Sequence, residues 1–213
     1  MNITKKASLK LPPIQKSTPE VFILESLSFK DEEAQRNEGR ILCDILRMCG
    51  KTPKYFYFRT EVELIELVTL FRNSGYRYLH ISAHGSAAGI NTTLGDITYA
   101  RFAEIFGGHL NNRRIFLSAC SVGNDLCGKC MQAANKGMYS IAAPAGDIEF
   151  RHAAALWSAL YVRMFSLDSG GMKSKEIHHA LTQMCGLFDI RFFWSYHDSK
   201  NNKWVNKTIE PKA

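Results

Sequence analysis

Two side chains in this sequence could carry covalent chemistry together, the thiol of Cys120 and the imidazole of His84. A thiolate is a strong nucleophile, and an imidazole can take up and return a proton near neutral pH, so the pair suffices for acyl transfer. Each lies at the end of a short apolar run. His84 closes Tyr78-Leu79-His80-Ile81-Ser82-Ala83-His84-Gly85. Cys120 sits in Arg114-Ile115-Phe116-Leu117-Ser118-Ala119-Cys120-Ser121-Val122-Gly123. A free cysteine is often an enclosed core residue, but here Ser118, Ala119 and Ser121 surround it and are small enough to leave the sulfur accessible. Gly85 follows His84 directly, and a backbone without a side chain lets a substrate carbonyl come close.

Such a pair works only if the fold brings it together. Both runs read as buried parallel strands: aliphatic, β-branched or aromatic, and stopped by glycine and small polar residues. In an open α/β sheet, ligands bind beyond the carboxyl ends of the strands, where both residues fall. Parallel neighbours need a crossover of about a dozen residues or more. The segment after Gly85 supplies one, as a small hairpin (Gly89-Ile90, then Leu94 to Thr98) and a helix from Tyr99 to Phe106.

The remaining chain alternates in the same way. Strands are expected at Val21 to Leu27, Lys54 to Arg59 and Tyr139 to Pro144, with an edge strand at Phe192 to Tyr196. A helix over Asp31 to Cys49 would bury Ala34, Ile41, Leu42, Ile45, Leu46 and Met48 on one stripe. Thr60 and Glu63 form a capping box for the next, which would bury Val62, Ile65, Leu67, Val68, Leu70 and Phe71 before Gly75 stops it. Further helices follow at Asn124 to Asn135, at Glu149 to Leu167 with Asp147 before it, and at Lys173 to Leu187. The class is α/β, a mostly parallel central sheet with helices on both faces.

At 213 residues the chain has single-domain length and room for a sizeable core. Its formal charge of +7 lies in the tails. Lys5, Lys6, Lys10 and Lys16 make 1–19 a basic flexible arm, and Lys200, Lys203, Lys207 and Lys212 make 200–213 a basic tail. The domain between, 20–199, is neutral, with no basic stripe for nucleic acid. The longest apolar stretch, Ala153 to Leu167, contains Arg163 and is too short to span a bilayer. No secretory segment precedes the six cysteines, so free thiols in a reducing cytoplasm are expected, and the sequons at Asn2, Asn91 and Asn206 are chance matches.

Cys127-Gly128-Lys129-Cys130 has the spacing of half a zinc site or of a redox pair. No second pair complements it, and the strand end where a redox motif would sit is taken by Cys120. Helix-facing thiols are therefore expected, with neither metal nor cofactor. Gly50-Lys51-Thr52 resembles the end of a phosphate loop, but Ile45 stands where its first glycine belongs. A flavodoxin-like site would need glycine after the first strand, and Ser26-Leu27-Ser28-Phe29 has none. His80 reads as internal packing, and His178 and His179 as boundary positions of the last helix.

A strand ending in His84-Gly85, followed by one ending in Ala119-Cys120, resembles the caspase-like cysteine peptidases: caspases, metacaspases, separases and CHAT-domain proteases. Leu117-Ser118-Ala119-Cys120-Ser121-Val122-Gly123 is most similar to the CHAT motif Leu-Ser-Ala-Cys-x-x-Gly. It departs from the caspase pattern Gln-Ala-Cys-x-Gly, with Ser118 in place of Gln and glycine at Gly123. The resemblance covers Val21 to Trp194 and implies a three-layer caspase-like fold. It implies Cys120 as nucleophile, His84 as acid–base, and the Gly85 and Cys120 N–H groups as oxyanion hole. It also implies limited cleavage of a protein partner, in prokaryotic defence or cell death, under an activating partner or ligand. The alternative is a catalytically silent scaffold on the same fold. By the same resemblance, Ser118 lines the pocket for the side chain before the scissile bond. Asp147, in Ala145-Gly146-Asp147-Ile148-Glu149, is either an acid of that pocket, as in separases, or a helix N-cap.

Overall fold

The computed structural model describes residues 17–211. The chain begins with strand β1 (Thr18–Glu25), then two helices, α1 (Phe29–Glu33) and α2 (Glu38–Met48). β2 (Lys54–Tyr57), α3 (Glu61–Ser74) and β3 (Tyr76–Ser82) follow. A small hairpin region, β4 (His84–Gly85), β5 (Gly89–Thr92) and β6 (Gly95–Thr98), leads into α4 (Tyr99–Ile105) and β7 (Arg114–Ser118). The second half runs α5 (Asp125–Ala134), β8 (Ser140–Pro144), α6 (Phe150–Leu167), α7 (Ser174–Phe188), β9 (Phe192–Asp198) and β10 (Lys203–Ile209).

Seven strands form one sheet in the order β10-β9-β8-β7-β3-β1-β2. β2, β1, β3, β7 and β8 are parallel, and β9 and β10 are antiparallel additions. Helices α3, α4 and α5 cover one face and α2, α6 and α7 the other. β3 and β7 are direct neighbours, with Tyr78 opposite Arg114 and Ser82 opposite Ser118. The expected adjacency of the two key strands is therefore present.

Local signals account for the element ends. Thr60 and Glu63 form the expected reciprocal capping box, and Gly75 ends α3 in the left-handed conformation at φ 72°. Such a cap is worth about 1 kcal/mol.

Several expectations are corrected. The helix expected over Asp31 to Cys49 is two helices, broken by a turn in which Gln35 takes φ 54°. Ile41 and Met48 of α2 and Val62, Ile65 and Leu70 of α3 are exposed, because one stripe of each helix meets the sheet. β1 starts at Thr18, inside the segment read as an arm, and the rest of that arm (1–16) lies outside the described residues. The segment read as a basic tail pairs with β9 as strand β10, so β9 is interior and β10 is the edge. Lys203 and Lys207 stay exposed on β10, the kind of charge that discourages edge-to-edge pairing.

Candidate active site

The site lies at the carboxyl ends of β1, β3 and β7. β3 stops at Ser82, and Ala83 donates its N–H to the Ser118 carbonyl at 3.0 Å. His84 then begins β4, a strand of the separate three-stranded sheet. It follows Ser82 by two residues, as Cys120 follows the paired Ser118. The strand break means that alternation along β3 does not relate His84 to His80. His84 and Cys120 together line a narrow pocket of about 90 Å³ with Glu38, Ala83, Ser118, Ala119, Ile148, Phe150 and Ala153.

Cys120 is half-buried at the start of a sharp turn. Ser121, the next residue, holds φ 58°, a left-handed conformation unfavourable for a side-chain-bearing residue and common where backbone is held for function. Ser121 N–H to the Gly146 carbonyl (3.0 Å) and Gly123 N–H to the Pro144 carbonyl (2.7 Å) lock that turn. A Cβ on Gly123 would lie 2.4 Å from the Ala143 oxygen, which explains the glycine of the motif. The Ile148 N–H donates to Cys120 Sγ at 3.4 Å, and the thiol lies 3.5 Å from the Ile148 carbonyl. Among the described residues the Cys120 N–H has no backbone acceptor. Gly85 presses on the same turn: a Cβ there would meet Val122 Cγ2 at 2.4 Å and Ala119 Cβ at 2.9 Å.

Behind His84 stands a residue the sequence reading treated as the start of a helix. His84 Nε2 lies 2.6 Å from Asp31 Oδ2. Asp31 is buried at 4% exposure. Ser28 caps α1 and donates to Asp31, and Arg36, brought back by the Gln35 turn, donates to Oδ1 at 2.8 Å. Burial pushes the Asp31 carboxyl up, but hydrogen bonds from Ser28, His84 and Arg36 outweigh it and hold the group below the usual range. An ionised carboxylate only accepts, so Nε2 is the ring nitrogen that carries a hydrogen toward Asp31. Phe150 meets the imidazole edge-on, with centroids 5.4 Å apart. Ser28-x-x-Asp31 matches a capping-box pattern, and that was the available signal for this residue.

Glu38, at the first turn of α2, is a second residue the reading missed. It is 2% exposed and accepts from Ser82 Oγ and Ser118 Oγ, both at 2.8 Å. His80 Nε2 lies 3.3 Å from its other oxygen, so His80 belongs to this buried network. α2 is held against β1 there by Gly39 N–H, which donates to Glu25 at 2.6 Å. No local pattern singles out Glu38, which on sequence is one polar residue of an amphipathic helix.

Ser118 lines the Cys120 pocket, with its hydroxyl turned onto Glu38. Asp147 does not line it. It borders the adjacent cleft with Ile148, Glu149, His152, Phe188, Asp189 and Ile190, and accepts from Ser121 Oγ at 3.0 Å. Nor does it cap α6, whose N-cap is Glu149, because the helix starts only at Phe150. Cys127 is buried on α5 and Cys130 half-buried, with burial pushing the Cys127 thiol up to about 12. Among the described residues no three or more His, Cys, Asp or Glu side chains are grouped so as to hold a metal ion.

No family model and no curated protein matches this chain. Among solved structures it is similar to the Arg specific cysteine proteinase gingipain R, at TM-score 0.52 and 16% identity over 80% of this chain and 43% of that one. It is also similar to caspase-1 from Spodoptera frugiperda, at TM-score 0.53 and 12% identity over 87% and 85% of the two chains. The fold is caspase-like. The chain spans less than half the length of the gingipain chain it matches. In this caspase-like frame, no helix of the described residues is long and apolar enough to cross a membrane.

Proposed function

We propose that this chain is a cysteine endopeptidase of the CHAT type, working through Cys120 and His84. The observation that carries the reading is the shared pocket: thiol and imidazole open into one cleft at the strand ends, and a buried, ionised Asp31 backs the imidazole. The Cys120 sulfur attacks the scissile carbonyl, and its proton passes to His84 Nδ1. The Gly85 and Cys120 N–H groups receive the oxyanion. His84 returns the proton to the leaving amine as the C–N bond breaks, which leaves a thioester on Cys120. Water, deprotonated by His84, attacks the thioester and releases the acid and the thiol.

Asp31 holds the imidazole in one tautomer and offsets the positive charge formed during each transfer. The substrate is a protein partner cut at few sites, in a reducing cytoplasm that keeps the thiol free, with an activating partner or ligand and a role in prokaryotic defence or cell death. The motif at Leu117 to Gly123 supports the CHAT assignment. The test is purified protein incubated with candidate partners and read by mass spectrometry, wild type against Cys120→Ala and His84→Ala. Loss of the nucleophile removes the covalent route, and loss of the acid–base costs about 10²–10⁴-fold. Both variants should stay folded, Cys120→Ala at the wild-type melting temperature and His84→Ala somewhat below it, because Asp31 loses a hydrogen-bond donor. Undiminished cleavage by Cys120→Ala would overturn the proposal.

A further inference from the structure

We propose that Glu38 sets the specificity of the Cys120 pocket, which takes the side chain of a Lys or Arg residue preceding the scissile bond. This rests on the peptidase reading above. Glu38 is the one acidic side chain lining the pocket that holds Cys120. A substrate acyl group bonded to Cys120 would place its adjacent side chain into that pocket. Glu38 shares that pocket with Ser118 and Cys120 and accepts from the Ser118 hydroxyl at 2.8 Å.

The carboxylate is incompletely matched as it stands. It offers about four lone-pair sites, and three donors reach it: Ser82 Oγ, Ser118 Oγ and, at 3.3 Å, His80 Nε2. None is a Lys or Arg, and among the described residues His80 is its one basic partner. Asp31, by contrast, has the guanidinium of Arg36 at 2.8 Å. A buried carboxylate short of a cation is costly, and an incoming ammonium or guanidinium would supply both the charge and the fourth donor. The other walls suit the stem of such a side chain. Ala83, Ala119, Ile148, Phe150 and Ala153 are apolar, and about 90 Å³ admits a narrow polymethylene chain better than an aromatic ring. An acidic side chain would bring like charge against Glu38 and is excluded by the same electrostatics.

The test uses four peptidyl acyloxymethyl ketones that differ only in the residue at the reactive end: Lys, Arg, norleucine or Asp. The Cys120 sulfur forms one thioether bond to the methylene carbon, the carboxylate leaves with the bonding electrons, and the thiol proton goes to solvent. Peptide mass at Cys120 after digestion gives the labelling rate of the full-length wild-type protein, and iodoacetamide read at the same peptide reports the reactivity of Cys120 without using the pocket. The expected result is labelling by Lys and Arg ketones about 10²-fold faster than by norleucine, with Asp slowest. In Glu38→Gln the Lys, Arg and norleucine rates should converge. The wild-type ranking needs no variant, so it decides the matter even if Glu38→Gln fails to fold. Fastest labelling by norleucine or Asp, or a Lys preference that persists in a folded Glu38→Gln, would overturn the role of Glu38 and leave the peptidase reading standing. Reaction of Cys120 with iodoacetamide but with none of the ketones would overturn both.

Discussion

The two faces of the central sheet are built from alternate residues of the same three strands, yet they end differently. On the side of α3, α4 and α5, β1, β3 and β7 contribute Phe22 and Leu24, Leu79 and Ile81, and Ile115 and Leu117, apolar to the last residue. On the side of α2, α6 and α7 they begin apolar, with Val21 and Ile23, Tyr78, and Phe116. They then turn polar toward the carboxyl edge, with Glu25, His80 with Ser82, and Ser118, all buried. Burying polar groups opposes stability unless each is hydrogen-bonded. Both faces therefore carry an apolar core, but the α2, α6 and α7 face gives some stability up where it reaches Cys120. The difference locates the site independently of any motif.

Neighbouring residues on opposite faces give the largest test of that contrast. Leu117→Ala should cost about 2–5 kcal/mol of unfolding free energy through the cavity it leaves. Ser118→Ala removes one of three donors to Glu38 and should cost less, about 1–2 kcal/mol. Denaturant melts of the two variants compare them directly, and a greater loss at Ser118 would mean that the polar face carries the fold.

Glu25 sharpens the comparison on the polar side. Burial, with a contribution from Glu38, raises its pKa to about 7, against the hydrogen bonds from Tyr55 and Gly39. For an acid raised in the folded state, the native protein holds a proton that the unfolded chain releases between its ordinary value of 4.5 and about 7. Stability therefore falls as pH rises through that window, by about 3 kcal/mol in full. Glu25→Gln should lack this slope, so the difference in stability between variant and wild type should grow in the variant's favour from pH 4.5 to pH 8. A constant difference over that range would show that Glu25 is ionised throughout.

The smallest expected effect falls on rate. Asp31→Asn should lower turnover about 10²-fold, part of what a positioned acid–base supplies. In the proposed mechanism Asp31 acts through His84, so the pH–rate profile should move as well, and Asp31→Glu should restore part of both. A lower rate with an unmoved profile would make Asp31 only a cap for α1. Asp31 also stabilises the fold above the unfolded carboxylate range, and that contribution is lost as pH falls through its lowered pKa.

Much of this architecture is legible along the chain. The apolar runs ending at Ser82 and Ser118 are short, continuous and stopped by small residues, and they are indeed adjacent parallel strands. Thr60, Glu63 and Gly75 marked α3 because capping is a local interaction between residues a few positions apart. Other features were hidden for equally physical reasons. The break at Gln35 carries no proline or glycine, and Asp31 to Cys49 keeps helical periodicity across it. β10 alternates weakly and is mostly polar, as an edge strand can be, so it reads as a tail.

For the site, the sequence by itself singled out the pair proposed to do the chemistry: Cys120 and His84 stand out by residue type, by the small residues around them and by their place at strand ends. Those are local properties, written within a few positions of each residue. Only the tertiary structure decided what surrounds the pair. Asp31 reaches His84 across 53 positions, and Glu38 reaches Ser118 across 80. Neither contact has a periodic or spacing signature, because each depends on where a helix after β1 crosses the edge of the sheet. A hydrogen bond between distant segments is selected by the packing that aligns them, and that packing is a property of the whole fold.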